Sequence, residues 1–431
     1  MTHRKMWTRN FITGCLWLGL LAPSATYAEL RYKNWETTGF LTLGYAQTDK
    51  YDDRVLRRNV NQDGQELHDN GFLVDSRFGL QLTGDLNDHW EMVFQAVLKE
   101  QYANNAFDYV DMAFARYRAS DAWQLALGRQ PFDTFIMSDH VNVGYSFDWV
   151  RPPTEFYGYI PFDSFDGIKI TRDWGDFDNA WKWSLSVGYI EDLFEIEVAD
   201  EPENDGADEV KAQPIYNTEI SWRSDSWHVR ANYAHLEFKL DSENSRAFRD
   251  FENTFRPIWP DFSVITSDFA VNNKMSYAAI GASWQQGNWK IQSEISTINA
   301  DFVYYDGERA YLHFAYRYKE FLPYLTFGYA TDDSNNSYEV PVINEPGAEE
   351  LQALFDAVGV GLTEAVVSVR NNQTSISAGV RWDYAPQKAL KFQCDRFNFD
   401  ANSASTHGRF DQDYSRAEQK TWCSATFDWA F

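Results

Sequence analysis

The side chains able to do chemistry in this 431-residue chain are few, and their spacing excludes most reactions. Asp139 and His140 are adjacent, while His235 and His313 stand alone further on. A hydrolase needs a nucleophile with a base in reach, and a metal centre needs ligands at set spacings. No His-x-x-x-His, Cys-x-x-Cys or nucleophile-elbow pattern occurs, so no catalytic residue, metal site or cofactor is assigned. Beyond Cys15 the chain has two cysteines, Cys394 and Cys423. On neighbouring strands they either face each other and bond in an oxidising compartment or remain two thiols. The remaining chemistry is electrostatic. Lys99, Lys182, Arg223, Arg230, Lys290, Arg317, Arg381 and Lys391 recur on the polar side of alternating stretches, with Asp75, Glu91, Glu219, Glu294, Asp383 and Asp395. Charges gathered on one face break no bonds. They set a field that orders water and dissolved ions.

Such faces require strands. In "FLVDSRFGLQLTG" Val74, Phe78, Leu80 and Leu82 fall on one side, and Asp75, Arg77, Gln81 and Thr83 on the other. "HWEMVFQAVLKE", "AWKWSLSVGY", "IYNTEISWRS" and the closing "TWCSATFDWAF" alternate in the same way. Period-two alternation over about ten residues is the length a tilted barrel strand needs to cross a membrane. Connector lengths alternate as well. Tight turns at "DLND", "ASDA", "SDS", "QGN" and "KEF" separate long connections at 49–71, 131–164, 191–213, 241–274, 331–371 and 400–417. Briefer ones lie near 102–105 and 301–307. Strands counted between these marks number about sixteen, in the even series of bacterial barrels. A soluble sandwich has no reason to keep its long loops at one end, whereas a sheet in lipid must close and leave no edge. Phe431, at the end of the last strand, would then pair with the first, around Thr37–Ala46.

Bulk properties agree. Arg4, Lys5 and Arg9, the apolar run "FITGCLWLGLLA" and small Ala28 read as a secretory signal peptide over 1–28. Its removal takes away three basic residues and no acidic ones, leaving 35 basic against 64 acidic residues, a net −29. So acidic a chain repels nucleic acid. No later segment offers about 20 consecutive apolar residues, so no helix is expected to span a bilayer.

The chain resembles the Gram-negative outer-membrane porin family in "SRFGLQLTGDL", "LGRQPF", the long 131–164 connection, "FDG" and the final Phe431. The resemblance covers residues 29–431. It implies an all-β transmembrane antiparallel barrel of sixteen strands, assembled as a homotrimer, with its third long loop folded inward to narrow the pore. It also implies wall arginines facing loop carboxylates. Arg77 and Arg129 match the wall positions, and Glu155 in "RPPTEFYG" matches the loop glutamate. Asp133, Asp139, Asp148 and Asp163 are further candidates for the acidic side of the constriction. Arg129 falls in the alternation of Leu127, so a bulge has to turn it inward. A third wall arginine is missing: "SFDGIKI" offers Asp166 and Lys169.

The function these features point to is passive diffusion of small hydrophilic solutes and ions across the outer membrane, with lipid and lipopolysaccharide as surroundings. The pore lining is expected from Lys99, Lys182, Arg223, Arg230, Arg317 and Arg381. A sugar- or anion-specific channel is the alternative, because the third loop is rich in aromatics that stack on sugar rings. An outer-membrane hydrolase and a soluble exported β protein complete the set. The 191–209 stretch, without a basic residue, reads as a solvated extracellular mouth loop. "GAEELQALFDAVG" has helical spacing, placing a short helix in the 331–371 connection.

Overall fold

The computed structural model describes residues 34–47, 55–62, 64, 71–101, 106–160, 162–193, 209–240, 243–260, 272–300, 306–332, 340–343, 347–407 and 414–431. The signal-peptide reading of 1–28 and most of the acidic stretch, 194–208, fall outside them.

Sixteen strands form one sheet: β1 (Trp35–Gln47), β2 (Arg77–Asp85), β3 (Trp90–Lys99), β4 (Val110–Arg118), β5 (Trp123–Pro131), β6 (Ser164–Gly175), β7 (Ala180–Leu193) and β8 (Glu209–Arg223) make its first half. The second half is β9 (Trp227–Leu240), β10 (Asn272–Gln286), β11 (Trp289–Ala300), β12 (Gly307–Tyr316), β13 (Phe321–Asp332), β14 (Gln373–Ala385), β15 (Lys388–Phe399) and β16 (Glu418–Ala430). Each pairs antiparallel with its neighbour in sequence, and β1 closes on β16, making a cylinder. Closure runs from Phe40 opposite Ala430 to Gln47 opposite Cys423. Beyond β16, Phe431 and Gly39 exchange both main-chain hydrogen bonds, at 2.6 and 2.8 Å. The Phe431 ring packs over Gly39, where a Cβ would fall 2.6 Å from it and the ring would have to shift.

The alternation read in the sequence sorts the two faces. On β15, Lys391, Gln393 and Asp395 are buried while Leu390 and Phe392 are exposed. Exposed Leu80, Leu125, Ile168, Leu185, Ile280 and Leu325 continue an apolar outer belt. Trp90, Trp123, Trp181, Trp227, Trp289 and Trp382 rim it at the short-turn end, and Tyr45, Tyr189, Tyr216 and Tyr329 at the other. No described helix is long and apolar enough to cross a membrane.

Among the described residues three α-helices sit in the long connections: α1 (Thr154–Tyr157), α2 (Glu243–Phe255) and α3 (Glu349–Val369). The helix expected within 347–359 runs on to Val369, because Leu362, seven residues beyond Phe355, buries on the same face. β7 and β8 also reach further into the 191–213 connection than expected, with Glu191 opposite Lys211 and 3.4 Å from it.

Cys394 and Cys423 lie directly opposite on β15 and β16 and are joined. Their Cα atoms are 4.1 Å apart, the close spacing of a non-hydrogen-bonded pair. Over a sequence separation of 29, such a bond is worth about 3–4 kcal/mol of lost unfolded-state entropy. Alkylation of the unreduced, denatured protein should leave both positions unlabelled, and reduction should expose them. Labelling of both without reductant would discard the bond.

Candidate functional site

The functional question lies in the interior, which the β5–β6 connection (132–163) enters. Its anchors come from the inner face of nearly every strand. Lys169 on β6 holds Asp133 at 2.6 Å, and Asn217 on β8 donates to the Asp133 carbonyl. Glu294 on β11 accepts the Ile136 amide at 2.8 Å and the hydroxyls of Tyr157 and Tyr311. Asp148 meets Lys290 at 2.6 Å and His313 at 3.2 Å, and the Trp149 indole donates to Thr326. Lys391 on β15 donates to the carbonyls of Gly144 and Trp149 and lies 3.1 Å from Asp428 on β16. Arg381 on β14 donates to the carbonyls of Tyr145 and Phe147, and Arg77 on β2 to that of Asn142. A single segment can reach opposite sides of a closed sheet only from within it.

The same segment carries an apolar core into the cylinder. Phe132, Phe135, Phe147, Trp149, Phe156 and Tyr157 are buried together, and Trp259, Phe355 and Leu362 join the cluster from the connections bearing α2 and α3. Phe251, Phe255 and Trp259 ring Phe355 with centroids 5.3–5.8 Å away. Burial of each large side chain is worth about 1.5–3 kcal/mol, so the segment is held by hydrophobic contact as well as by charge. Gly144 is wedged among Asp428, Thr42 and Arg77, where no side chain fits.

Several charges expected at the constriction are paired or buried where this segment meets the strands. Burial alone would raise the carboxyls of Asp133 and Asp148, but Lys169 with Arg230, and Lys290 with His313, hold them below the usual range. Glu155 is fully buried, among the described residues it makes no ion pair, and Gln373 donates to it at 3.0 Å. Burial, only partly offset by hydrogen bonds, pushes its carboxyl up. Asp163 pairs with Lys99. Asp139 is exposed and pairs with His140 at 2.5 Å.

The two matched wall arginines differ in placement. Arg77 is buried against the connection's backbone, and its Nη2 makes no hydrogen bond. Arg129 keeps the register position of Leu127, next to Gly128 at φ 124°, and turns to Asp166 directly opposite on β6, at 2.8 Å. Of the expected lining, Arg230 joins Glu219 at 3.4 Å, Lys182 approaches it at 3.8 Å, and Arg317 and Arg381 share Asp383. Arg223 is exposed at the short-turn end of β8.

Sequence reasoning missed Arg151. It lies within the connection, 1% exposed, 2.5 Å from Asp75 and 3.7 Å from Asp395. Nothing in "RPPTEFYG" marks it, since an arginine beside two prolines looks like a solvated loop charge. The pair Arg309–Asp332, at 2% and 1% exposure, was likewise invisible without the register.

The fold can now be placed. OmpF of Salmonella typhi superimposes with a TM-score of 0.52 at 11% identity, over 93% of this chain and 99% of that one. An anion-selective porin of Comamonas acidovorans matches at 0.48 and 11%, covering 92% and 99%; OprB of Pseudomonas putida matches at 0.47 and 8%, covering 93% and 94%. The likeness is to bacterial porins, and it is one of fold. No protein-family model and no curated protein matches the sequence.

Two expectations follow from the charges buried inside the sheet. Arg151→Ala leaves Asp75 and Asp395 buried without their cation, a loss of about 3–5 kcal/mol, read as a lower temperature for the unheated-to-heated gel shift. Adding Asp75→Asn and Asp395→Asn should recover most of it, and an unchanged transition in the single variant would refute the pairing. For Glu155, the folded carboxyl binds its proton more tightly than the unfolded one. Its contribution is therefore undiminished below the unfolded value and falls as pH rises through the interval up to the folded one. Glu155→Gln should raise thermal stability at pH 7.5 and leave it unchanged at pH 4. A gain equal at both would contradict the sign.

Proposed function

We propose that this chain is a porin-like channel of a Gram-negative outer membrane, through which small hydrophilic solutes cross by passive diffusion. One observation carries the reading: a closed sheet with an apolar, aromatic-rimmed outer face and a charged inner face. An exposed apolar belt around a whole cylinder has no place in water, whereas lipid accepts it and requires the closed edge. The long connections then face outward toward lipopolysaccharide, and the short turns face the periplasm. Assembly as a homotrimer is carried by the family resemblance.

The filled interior favours a narrow, substrate-selective channel over a wide general one. The β5–β6 segment and the aromatic cluster around Phe355 occupy volume that an open pore leaves to water. Asp139 pairs with His140, and the nearby Ser146 hydroxyl donates to the carbonyls of His140 and Val143; no catalytic step is proposed for these residues.

The test is conductance. Detergent-purified protein added to a planar bilayer should produce discrete current steps in potassium chloride, and liposomes carrying it should admit small polar solutes but exclude large ones. A correctly folded, heat-modifiable protein that passes no current would overturn the proposal.

A further inference from the structure

At the long-connection end of the cylinder the β5–β6 segment leaves a cavity. It is a partly enclosed space of about 40 Å³ between the β1–β2 connection, the end of β3 and the segment itself. A water needs roughly 10–15 Å³ by this measure, so about three water-sized positions fit. Its charged lining is Arg58, Lys99, Glu100 and Asp163, two of each sign, and most of the remaining wall is amide side chains such as Gln62 and Asn142.

Arg58 and Asp163 line this space without meeting, because each is tethered elsewhere. The Arg58 amide donates to Gln62 at 2.7 Å, and its guanidinium donates through Nη2 to the Val141 carbonyl. Asn59 and Val60 fix the same stretch to the segment, at the carbonyls of Ile160 (2.8 Å) and Gly158 (2.9 Å). Among the described residues the Arg58 guanidinium makes no ion pair. Burial lowers it from its ordinary value, and Asp163 supplies the largest opposing pull.

Asp163 presents the opposite charge. Its Oδ2 accepts from Lys99 and, at 3.3 Å, from Asn142, while among the described residues its Oδ1 accepts no hydrogen bond. The carboxylate is 25% exposed, and the Asp163 carbonyl is pinned by the Phe132 amide at 2.9 Å. Each charge has a like neighbour. Arg77 takes the Asn142 carbonyl, next along the chain from the one that holds Arg58. The Asn142 side-chain amide donates to Asp111 as well as to Asp163. Guanidiniums thus gather at the 141–142 main chain, and carboxylates at the Asn142 side chain.

Resting on the channel reading above, we infer that this cavity is a subsite for small zwitterions of the α-amino-acid type. The Arg58 guanidinium takes the carboxylate, and the free oxygen of Asp163 takes the ammonium. A simple anion answers Arg58 but sets a second negative charge beside Asp163. A simple cation has the converse fault. A molecule carrying both charges about three atoms apart spans the gap with two charge-assisted hydrogen bonds and leaves the lining balanced.

Glycine, acetate and methylammonium separate these contributions. Each is added at pH 7.5 and constant ionic strength to single channels in a planar bilayer, and the concentration that halves the current, corrected for bulk conductivity, is measured. Glycine should act at a concentration lower by about tenfold than either simple ion, equivalent to roughly 1.4 kcal/mol. Arg58→Gln should move glycine toward methylammonium, and Asp163→Asn should move it toward acetate. A folded variant that keeps the wild-type response to glycine overturns the role of the residue replaced. On the wild-type protein, acetate acting as strongly as glycine overturns the carboxylate side, and methylammonium doing so overturns the guanidinium side. Both of these comparisons stand even where a variant does not fold. A current indifferent to all three overturns this inference alone, whereas a folded protein without current overturns the channel and the subsite together.

Discussion

Pairing of β1 with β16 is the constraint on which everything else rests. A sheet with free edges leaves a row of amides and carbonyls unpaired, and in lipid each is expensive. Closure removes both edges at once and divides the side chains into an inside and an outside. The joint is reinforced where it is most exposed to fraying: Phe431 bonds to Gly39 beyond the last strand residue, and Cys394–Cys423 ties β16 to β15.

Once an inside exists, its charges must be answered. Arg151 between Asp75 and Asp395, Lys391 beside Asp428, and Arg309 beside Asp332 are nearly inaccessible to solvent. A buried ion unpaired costs several kcal/mol, so the pairs fix position rather than add net stability. The β5–β6 segment uses them as a set of pins around its own aromatic core. Many independent pins and a contiguous core hold this segment in place.

The sequence carried the fold well and the interior poorly. Alternation in "HWEMVFQAVLKE" and "TWCSATFDWAF" told which side chains share a face, because period two is a local property of extended backbone. It could not say that Glu155 would be fully buried, that Arg129 would turn to Asp166, or that Arg151 would lie between two aspartates. Those facts depend on which strands stand opposite one another across the cylinder, at sequence separations as large as 244 residues for Arg151 and Asp395.

The sequence by itself determined an even count of about sixteen strands, the order of short and long connections, the apolar and polar faces, and that the last strand pairs with the first. All of these follow from local alternation and from the requirement that every strand be paired. Only the tertiary structure decided which charges neutralise each other and how far the aromatic segment fills the cylinder. The reason is physical: a side chain's face is set by its own backbone, whereas its partner is set by the distant element that closure brings against it.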